Sequence, residues 1–413
     1  MEDYKIRAIT SWDEINKFRP FWQRTQWHPG ADLNFFELIL KGRSTVISPC
    51  VFILTNNDQI IALLAGRIEH SKIQIRLGYA TLAKIAVRKL VLMEGGFMGN
   101  RTDDVWTKFL AFVCGYLREA NLGLASFENV RLTSPQYTIA KQMFGRSQLS
   151  SGNSAEHWLL QLPKKYEDFM AGRSKKRRYW LNRLPRVLDK DFPGEWSMVR
   201  YSSANEVQDF AAAAETVACK TYHRGLGVGF QANDETIKRL TMEAGLNQLC
   251  SYVLFIKKEP KAFWHCFKYA NVLYLASTGY DPEYGSYEVG TVLLLKVFQD
   301  YCGTDINVVD FGLGDADYKQ RYGSEHFTET TLVLFPRTIK GVYLNFIKSS
   351  GDATNQTIRK MVDRLHLTQR MKKIWRRGKS ASTKSSPDNQ NPHTGKSSSI
   401  TVETEPDEPA GRN

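Results

Sequence analysis

Val272–Tyr301 reads VLYLASTGYDPEYGSYEVGTVLLLKVFQDY, and VVDFGL follows at Val308–Leu313. Val272–Ser277 is a short β-favouring run followed by Gly279 and Pro282, so it reads as a strand. Tyr280–Val289 carries the Asp-Pro and glycine signals of a loop. Gly290–Tyr301 is an apolar run of helix length, and Val308–Phe311 is a second strand. Strand, helix and strand in this order form a βαβ crossover, which sets the two strands parallel with a right-handed connection. On such sheets ligands sit beyond the carboxyl ends of the strands, at a helix N-terminus. The segment Tyr280–Thr291 is that place and the first candidate for a reaction site.

Outward from this unit, strands are predicted near Trp196–Tyr201, Cys250–Lys257, Lys261–Tyr269 and Thr330–Phe335, with helices between them. In the first half, Cys50–Thr55, the turn Asn56-Asn57-Asp58 and Gln59–Ile68 read as a hairpin, and Val87–Met93 as a further strand. Asp103–Ala120 repeats its apolar residues at helical spacing, with Asp103 placed as the N-cap. Phe144–Ala155, FGRSQLSSGNSA, is a Ser/Gly/Asn-rich break, after which a strand at His157–Leu162 is stopped by Pro163. The expected organisation is α/β with two domains, residues 1–150 and 151–345, each a mixed β-sheet flanked by helices. A basic amphipathic helix, Gln356–Arg377, lies in the following segment 346–378, where its apolar side serves as a cap, a membrane-surface element or a partner contact. The Ser/Pro/Asn/Thr-rich tail 379–413 has the composition of a disordered segment.

The length of 413 residues exceeds what one hydrophobic core usually supports, which agrees with two domains. The formal net charge is +13, and the final 35 residues do not supply it, with four basic and five acidic side chains. A basic folded part attracts anions: nucleic acid, acidic headgroups or the phosphates of a nucleotide. The six cysteines form no CxxC pair and no metal-like grouping with histidine, so they read as reduced thiols and no metal is expected. The polar start Met1-Glu-Asp-Tyr-Lys lacks the pattern of a secretory signal, and no run of 18 apolar residues occurs. A cytoplasmic location, with membrane contact only at the periphery, is the expectation. No Walker loop or nucleophile elbow is present, which argues against NTPase and serine-hydrolase chemistry.

Three ordered motifs carry a family resemblance: Tyr280-Asp281-Pro282-Glu283-Tyr284, Val289-Gly290-Thr291-Val292-Leu293-Leu294, and the run Asp310-Phe311-Gly312-Leu313-Gly314-Asp315-Ala316-Asp317-Tyr318-Lys319. They resemble the bacterial GNAT proteins of the CelD/BioF2-like kind, associated with cellulose and other polysaccharides. Ala65-Gly66-Arg67-Ile68-Glu69, Leu77-Gly78-Tyr79 and Gly95-Gly96-Phe97-Met98-Gly99 extend the likeness into the first half. The resemblance covers roughly residues 45–335. It implies tandem GNAT-like domains, as in the Fem-type aminoacyl transferases, with the N-terminal copy degenerate and the C-terminal copy active.

The resemblance further implies acyl transfer, with acetyl first among the acyl groups, from acyl-CoA to an amine or hydroxyl of a small molecule, sugar or envelope precursor. Ser277, Thr278 and Gly279 would line the donor's pantetheine arm, and Gly290, Thr291 and Val292 would offer the helix start to its pyrophosphate. Attack on a thioester needs a base, an oxyanion donor and an acid for the thiolate, and Tyr280, Asp281, Tyr284, Asp315 and Tyr318 are the candidates. Lys319 either binds phosphate or faces solvent. Where the GNAT signature runs Q/R-x-x-G-x-G/A, this chain has Tyr287-Glu288-Val289-Gly290-Thr291-Val292 and keeps only the first glycine. An acyl-carrier protein or aminoacyl-tRNA is therefore an alternative donor, and a catalytically silent binding module in polysaccharide synthesis a third reading.

Structural roles compete at most of these positions. Asp281 before Pro282 suits a turn, and Asp315 suits the cap of a helix beginning near Asp317. His265, between Trp264 and Cys266, reads as a core histidine or a base, and His223 precedes a glycine-rich connection. The basic run Arg173–Arg178, with Arg183 and Arg186, suits phosphates, tRNA, acidic lipid or a solvated helix face, and Pro185 is expected to kink or end that helix. Its aromatic neighbours are not spaced for base stacking, and no DNA partner is expected.

Overall fold

In the computed structural model, which describes residues 4–77, 80–221, 224 and 229–349, the chain forms two compact units. His223, Gly78-Tyr79, the helix expected at Gln356–Arg377 and the tail 379–413 lie outside the described residues. One unit holds the described residues up to Gln26, Ile39–Asn153 and those from Thr330 onward; the other holds Trp27–Leu38 and Ser154–Glu329. Both are mixed α/β.

In the first unit β1 (Tyr4–Ile9), β2 (Val46–Pro49), β3 (Val51–Asn56), β4 (Gln59–Leu77) and β5 (Ala80–Gly99) are joined antiparallel as β1-β3-β4-β5, with β2 also on β4. The β3–β4 turn places Asn57 at φ +48° and Asp58 at φ +60°. Two left-handed central residues match the twist of the flanking strands, which is why Asn and Asp suit this hairpin. β6 (Leu124–Arg131) runs parallel to β5 from Lys89↔Leu124 to Leu92↔Phe127, and helix Asp103–Glu119 makes the crossover. Its cap is Thr102, whose hydroxyl accepts the Val105 amide at 3.4 Å, so Asp103 is the first helical residue and not the expected cap. Val105, Phe109, Val113 and Leu117 of this helix share a core with Phe52, Leu64, Leu90 and Leu92.

The second unit follows the order β7-β12-β11-β10-β9-β8, with β7 (Leu149–Gln161), β8 (Trp196–Tyr201), β9 (Ser251–Ile256), β10 (Glu259–Tyr269), β11 (Val272–Tyr280) and β12 (Val308–Leu313). Every neighbouring pair is antiparallel except β11 with β12, which the crossover helix Val289–Tyr301 makes parallel. The strand β13 (Glu325–Leu334) follows. The Ser/Gly/Asn-rich stretch read as a break is continued as strand from Leu149, and the Thr330 hydroxyl donates to the Gly152 carbonyl at 3.1 Å. Backbone pairing here overrides weak local propensity.

Alternation along the strands buries both faces. Tyr252, Leu254, Trp264 and Cys266 pack with Leu293, Val297 and Phe298 of the crossover helix and with Leu181, Leu184 and Leu188 of helix Lys175–Asp191. Val253 and Phe263 point the other way, onto Phe210, Val217 and Leu240 of helices Val207–Ala218 and Asp234–Gly245. Of the two outcomes expected at Pro185, a kink or an end, the helix does not end there but continues to Asp191. The buried leucines on both sides of Pro185 hold the turn against the roughly 3 kcal/mol that an interior proline costs. Among the described residues no helix is long and apolar enough to cross a membrane.

Candidate active site

The candidate site lies where β11 and β12 part. Their ladder has only three rungs, Val272↔Val308, Leu273↔Val309 and Tyr274↔Asp310, although β11 continues to Tyr280 and β12 to Leu313. Each strand carries one extra residue beside this point. In β11 the register with β10 steps from Leu275↔Cys266 to Ser277↔His265, leaving Ala276 unpaired. In β12 the register with β7 steps from Asp310↔Leu159 to Gly312↔Trp158, leaving Phe311 unpaired. A bulge bends its strand, and paired bulges turn two parallel strands apart. Gly312 accommodates the bend at φ +67°, and its amide donates to Asp310 Oδ1 at 2.6 Å.

On the diverging part of β11, the Ser277 hydroxyl is buried without a hydrogen-bond partner. Thr278 is engaged, its hydroxyl donating to the Phe263 carbonyl at 2.9 Å. Gly279 is a packing requirement, since a Cβ there would stand 2.7 Å from Phe263 Cε1 and 3.0 Å from Thr221 Cγ2.

Beyond β11, Pro282–Tyr287 forms a short 3-10 segment, and Glu288 caps the crossover helix in the left-handed conformation, φ +47° and ψ 44°. The Glu288 carbonyl accepts the Thr291 and Val292 amides at 2.8 and 3.0 Å, and its carboxylate accepts the Thr291 hydroxyl at 3.1 Å. The Val292 side chain belongs to the core. Half-exposed Tyr280 lays its ring by Gly290, where a Cβ would lie 3.7 Å from it. The Trp264 indole donates to the Gly290 carbonyl at 3.2 Å and receives the Tyr318 ring edge-on at 5.5 Å. Tyr318 also meets Phe311 edge-on at 6.0 Å. Tyr280, Gly290 and Tyr318 are thus gathered at the mouth of the parted strands.

Asp281 is 1% exposed and already committed: its Oδ2 accepts Lys220 Nζ at 2.7 Å and Lys261 Nζ at 3.4 Å, and its Oδ1 accepts the Glu283 amide at 3.2 Å. Burial raises its pKa, but the Lys220 and Glu283 hydrogen bonds and the two lysine charges outweigh that and hold the carboxyl below its ordinary range. An ionised carboxylate so engaged is a weak proton acceptor. Tyr284 stacks its face under Lys261 Nζ at 4.5 Å. Asp315 accepts Gln320 Nε2 at 2.7 Å, while the helix it was expected to cap, Asp317–Tyr322, has Ala316 at its N-cap and no side-chain cap.

Burial pushes the Tyr318 phenol well above its ordinary pKa. Lys319 does not face solvent: it is buried and donates to the Gly312 and Leu313 carbonyls. Burial pulls its ammonium down to about 8, against the opposing pull of Asp310 and Asp315. His265 is buried and bonded to Glu243 Oε2 at 2.8 Å.

The sequence pattern did not single out His157 or Glu329, and Asp310 stood in it only as the first residue of the third motif. His157 Nε2 meets Asp310 Oδ1 at 2.8 Å and its Nδ1 meets Glu329 Oε2 at 3.0 Å, with all three residues buried. Burial lowers the histidine pKa, but hydrogen bonds to and charges of both carboxylates outweigh it and raise the pKa to about 10. A charged imidazolium therefore holds Asp310, the last rung of the β11–β12 ladder. Lys220 and Lys261 were equally unmarked, because only the tertiary fold brings them to Asp281.

Residues 175–320 match the family described as Acetyltransf_6, acetyltransferase (GNAT) domain. The chain carries a GNAT-type transferase domain. Among solved structures it is similar to FemX, at 7% identity and a TM-score of 0.50 over 80% of this chain and 97% of that one. A conserved protein of unknown function from Bacteroides thetaiotaomicron VPI-5482 aligns at 10% identity and TM-score 0.46, over 81% of this chain and all (100%) of that one. A tandem GNAT protein from the clavulanic acid biosynthesis pathway aligns at 9% identity and TM-score 0.47, over 81% of this chain and 98% of that one. At these identities the likeness to FemX concerns the fold alone. No curated protein matches the chain in sequence.

Two outcomes follow from the geometry. Gly279→Ala lowers unfolding free energy by about 1–3 kcal/mol through overpacking, whereas Gly290→Ala stays within about 1 kcal/mol of the parent; urea denaturation separates them, and equal effects would contradict the packing described. The His157 pKa is raised from 6.5 to about 10 on folding, so its stabilisation is complete below pH 6.5 and lost as pH rises through 10. Stability from pH 7 to 10 should fall more steeply in the parent than in His157→Gln, and parallel slopes would refute the charged imidazolium.

Proposed function

We propose that the second unit transfers an acyl group from a thioester to an amine or hydroxyl of a small molecule, sugar or envelope precursor. The observation that carries this reading is the early end of the β11–β12 ladder beside the unpartnered, buried Ser277 hydroxyl. A strand edge released from its neighbour presents peptide groups to an extended amide-bearing arm, such as the pantetheine of acyl-CoA. Ser277, Thr278 and Gly279 are its proposed lining. The first unit's helix start is the poorer one for an anionic donor, with two carboxylates, Asp103 and Asp104, in its first turn against the single Glu288 here.

In this reading the acceptor's nitrogen or oxygen attacks the thioester carbonyl and loses a proton, the C–S bond breaks, and the departing thiolate takes a proton. Tyr318 is the proposed acid on position: its ring stands beside Phe311 at the opening and its phenol is protonated at neutral pH, although the burial that raises its pKa makes the proton harder to give up. Tyr280 and Tyr284 are left to orient acceptor or donor, with Asp281 fixing the segment between them through Lys220 and Lys261. Lys319 and Asp315 hold the turn after β12. The CelD/BioF2-like motifs favour an acceptor in polysaccharide or envelope synthesis.

The helix start fits a pyrophosphate less well. The Thr291 amide is already taken by the Glu288 carbonyl and the Glu288 carboxylate also lies there, and like charges repel at short range. This favours, as a second reading, an aminoacyl-tRNA or carrier-bound donor recognised over a wider surface.

Calorimetric titration with acetyl-coenzyme A is expected to show binding that Ser277→Leu abolishes. With an active acceptor found, Tyr318→Phe should lower kcat on the order of 100-fold while changing KM little. Absence of coenzyme A binding together with salt-sensitive tRNA binding would replace the first reading by the second.

A further inference from the structure

We propose that helix 339–349 of the first unit is a docking element for a membrane surface rich in anionic lipid, a role independent of the acyl-transfer reading. Ile339, Val342, Tyr343 and Phe346 recur at i, i+3, i+4 and i+7, which puts them on one helix face. They are 92%, 46%, 58% and 69% exposed. Such a contiguous apolar surface is unusual on a soluble fold and marks an interaction site.

The opposite face is fastened down, so the exposed side cannot simply turn inward. Leu344 is buried with Phe335 and Val333, and Asn345 Nδ2 donates to the Arg146 carbonyl at 2.7 Å. Gly341 is pressed on Pro336, whose carbonyl oxygen would lie 2.1 Å from any Cβ. Arg337 Nε donates to Gln148 Oε1 at 2.9 Å, and the four apolar side chains border an open groove of about 700 Å³ beside Gln148.

Charge selects the occupant. Between Arg337 and Ser349 the chain has Arg337, Lys340 and Lys348 and no acidic residue. The sequence from Arg359 to Lys379 adds Arg359, Lys360, Arg364, Arg370, Lys372, Lys373, Arg376, Arg377 and Lys379 against a single acid, Asp363. A second copy of this chain would bring like charge against like charge. An apolar face with an interfacial tyrosine and a cationic border matches acyl chains beneath anionic headgroups.

Sedimentation of the full chain with vesicles of phosphatidylcholine, with and without phosphatidylglycerol, tests this. Binding is expected with phosphatidylglycerol, weakening with salt, and falling about tenfold in the double variant Ile339→Ser/Phe346→Ser and in Lys340→Glu. Thermal unfolding confirms that each variant is folded, and Phe346→Trp, with its emission shifting to the blue on vesicles, gives a second readout. The proposal is overturned if the parent ignores phosphatidylglycerol vesicles. Unchanged binding of the double variant, with loss on neutralising Arg370–Arg377, would also overturn it by moving the contact downstream. A change of oligomeric state in the double variant without change in vesicle binding would assign the face to a second copy.

Discussion

The parting of β11 and β12 after three rungs is the constraint around which the second unit is arranged. Peptide groups that lose a strand neighbour inside a fold cost about 1–3 kcal/mol each unless something else bonds them. On β12 the chain supplies the substitutes itself. Asp310 accepts the Gly312 amide, His157 holds Asp310 with Glu329 on its far side, and Lys319 takes the Gly312 and Leu313 carbonyls. A buried cation with a lowered pKa and a buried imidazolium with a raised one are the electrostatic consequences of keeping that strand end open. On β11 the Thr278 hydroxyl reaches the Phe263 carbonyl, and the buried Ser277 hydroxyl is left without a partner on the edge where a ligand would lie.

Much of this architecture was legible in local patterns. The Asn57-Asp58 turn specified its hairpin because its backbone needs left-handed residues, and Val272–Phe311 specified a parallel crossover because a helix separates two apolar strands. The errors came where packing outweighed local preference. Ser150 to Asn153 were incorporated into β7 despite their loop-like composition, Pro185 was held within a helix by Leu181, Leu184 and Leu188, and the cap fell one residue earlier, on Thr102.

Site chemistry was less legible than fold for a different reason. His157 lies 153 residues from Asp310 and 172 from Glu329, so no spacing rule could associate them. Lys261 opens as an ordinary charged residue beside Pro260 and is buried only because Asp281 and Glu259 meet its ammonium. Motif likeness marks Tyr280, Gly290 and Tyr318, while the contacts of Gly290 and Tyr318 with Trp264, and of Tyr280 with Gly290, emerge only in three dimensions.

Glu288 marks where family likeness and local physics diverge. A non-glycine residue in the left-handed region costs of order 1 kcal/mol or more, and here it positions one carbonyl to take two helix amides and one carboxylate to take the Thr291 hydroxyl. The Val292 bond is the ordinary first bond of the helix, so at its start only the Thr291 amide is taken, beside the Glu288 carboxylate. A phosphate arriving there has to displace the Glu288 carboxylate or pass beside it, and gains less than at an open helix start. Under the proposed acyl transfer, donor recognition would shift toward the released edge of β11 and the side chains of Tyr280, Trp264 and Tyr318, which are indifferent to what lies beyond a thioester arm. The same fold can then serve a nucleotide-borne or a carrier-borne acyl group, with selection exercised outside the reacting centre.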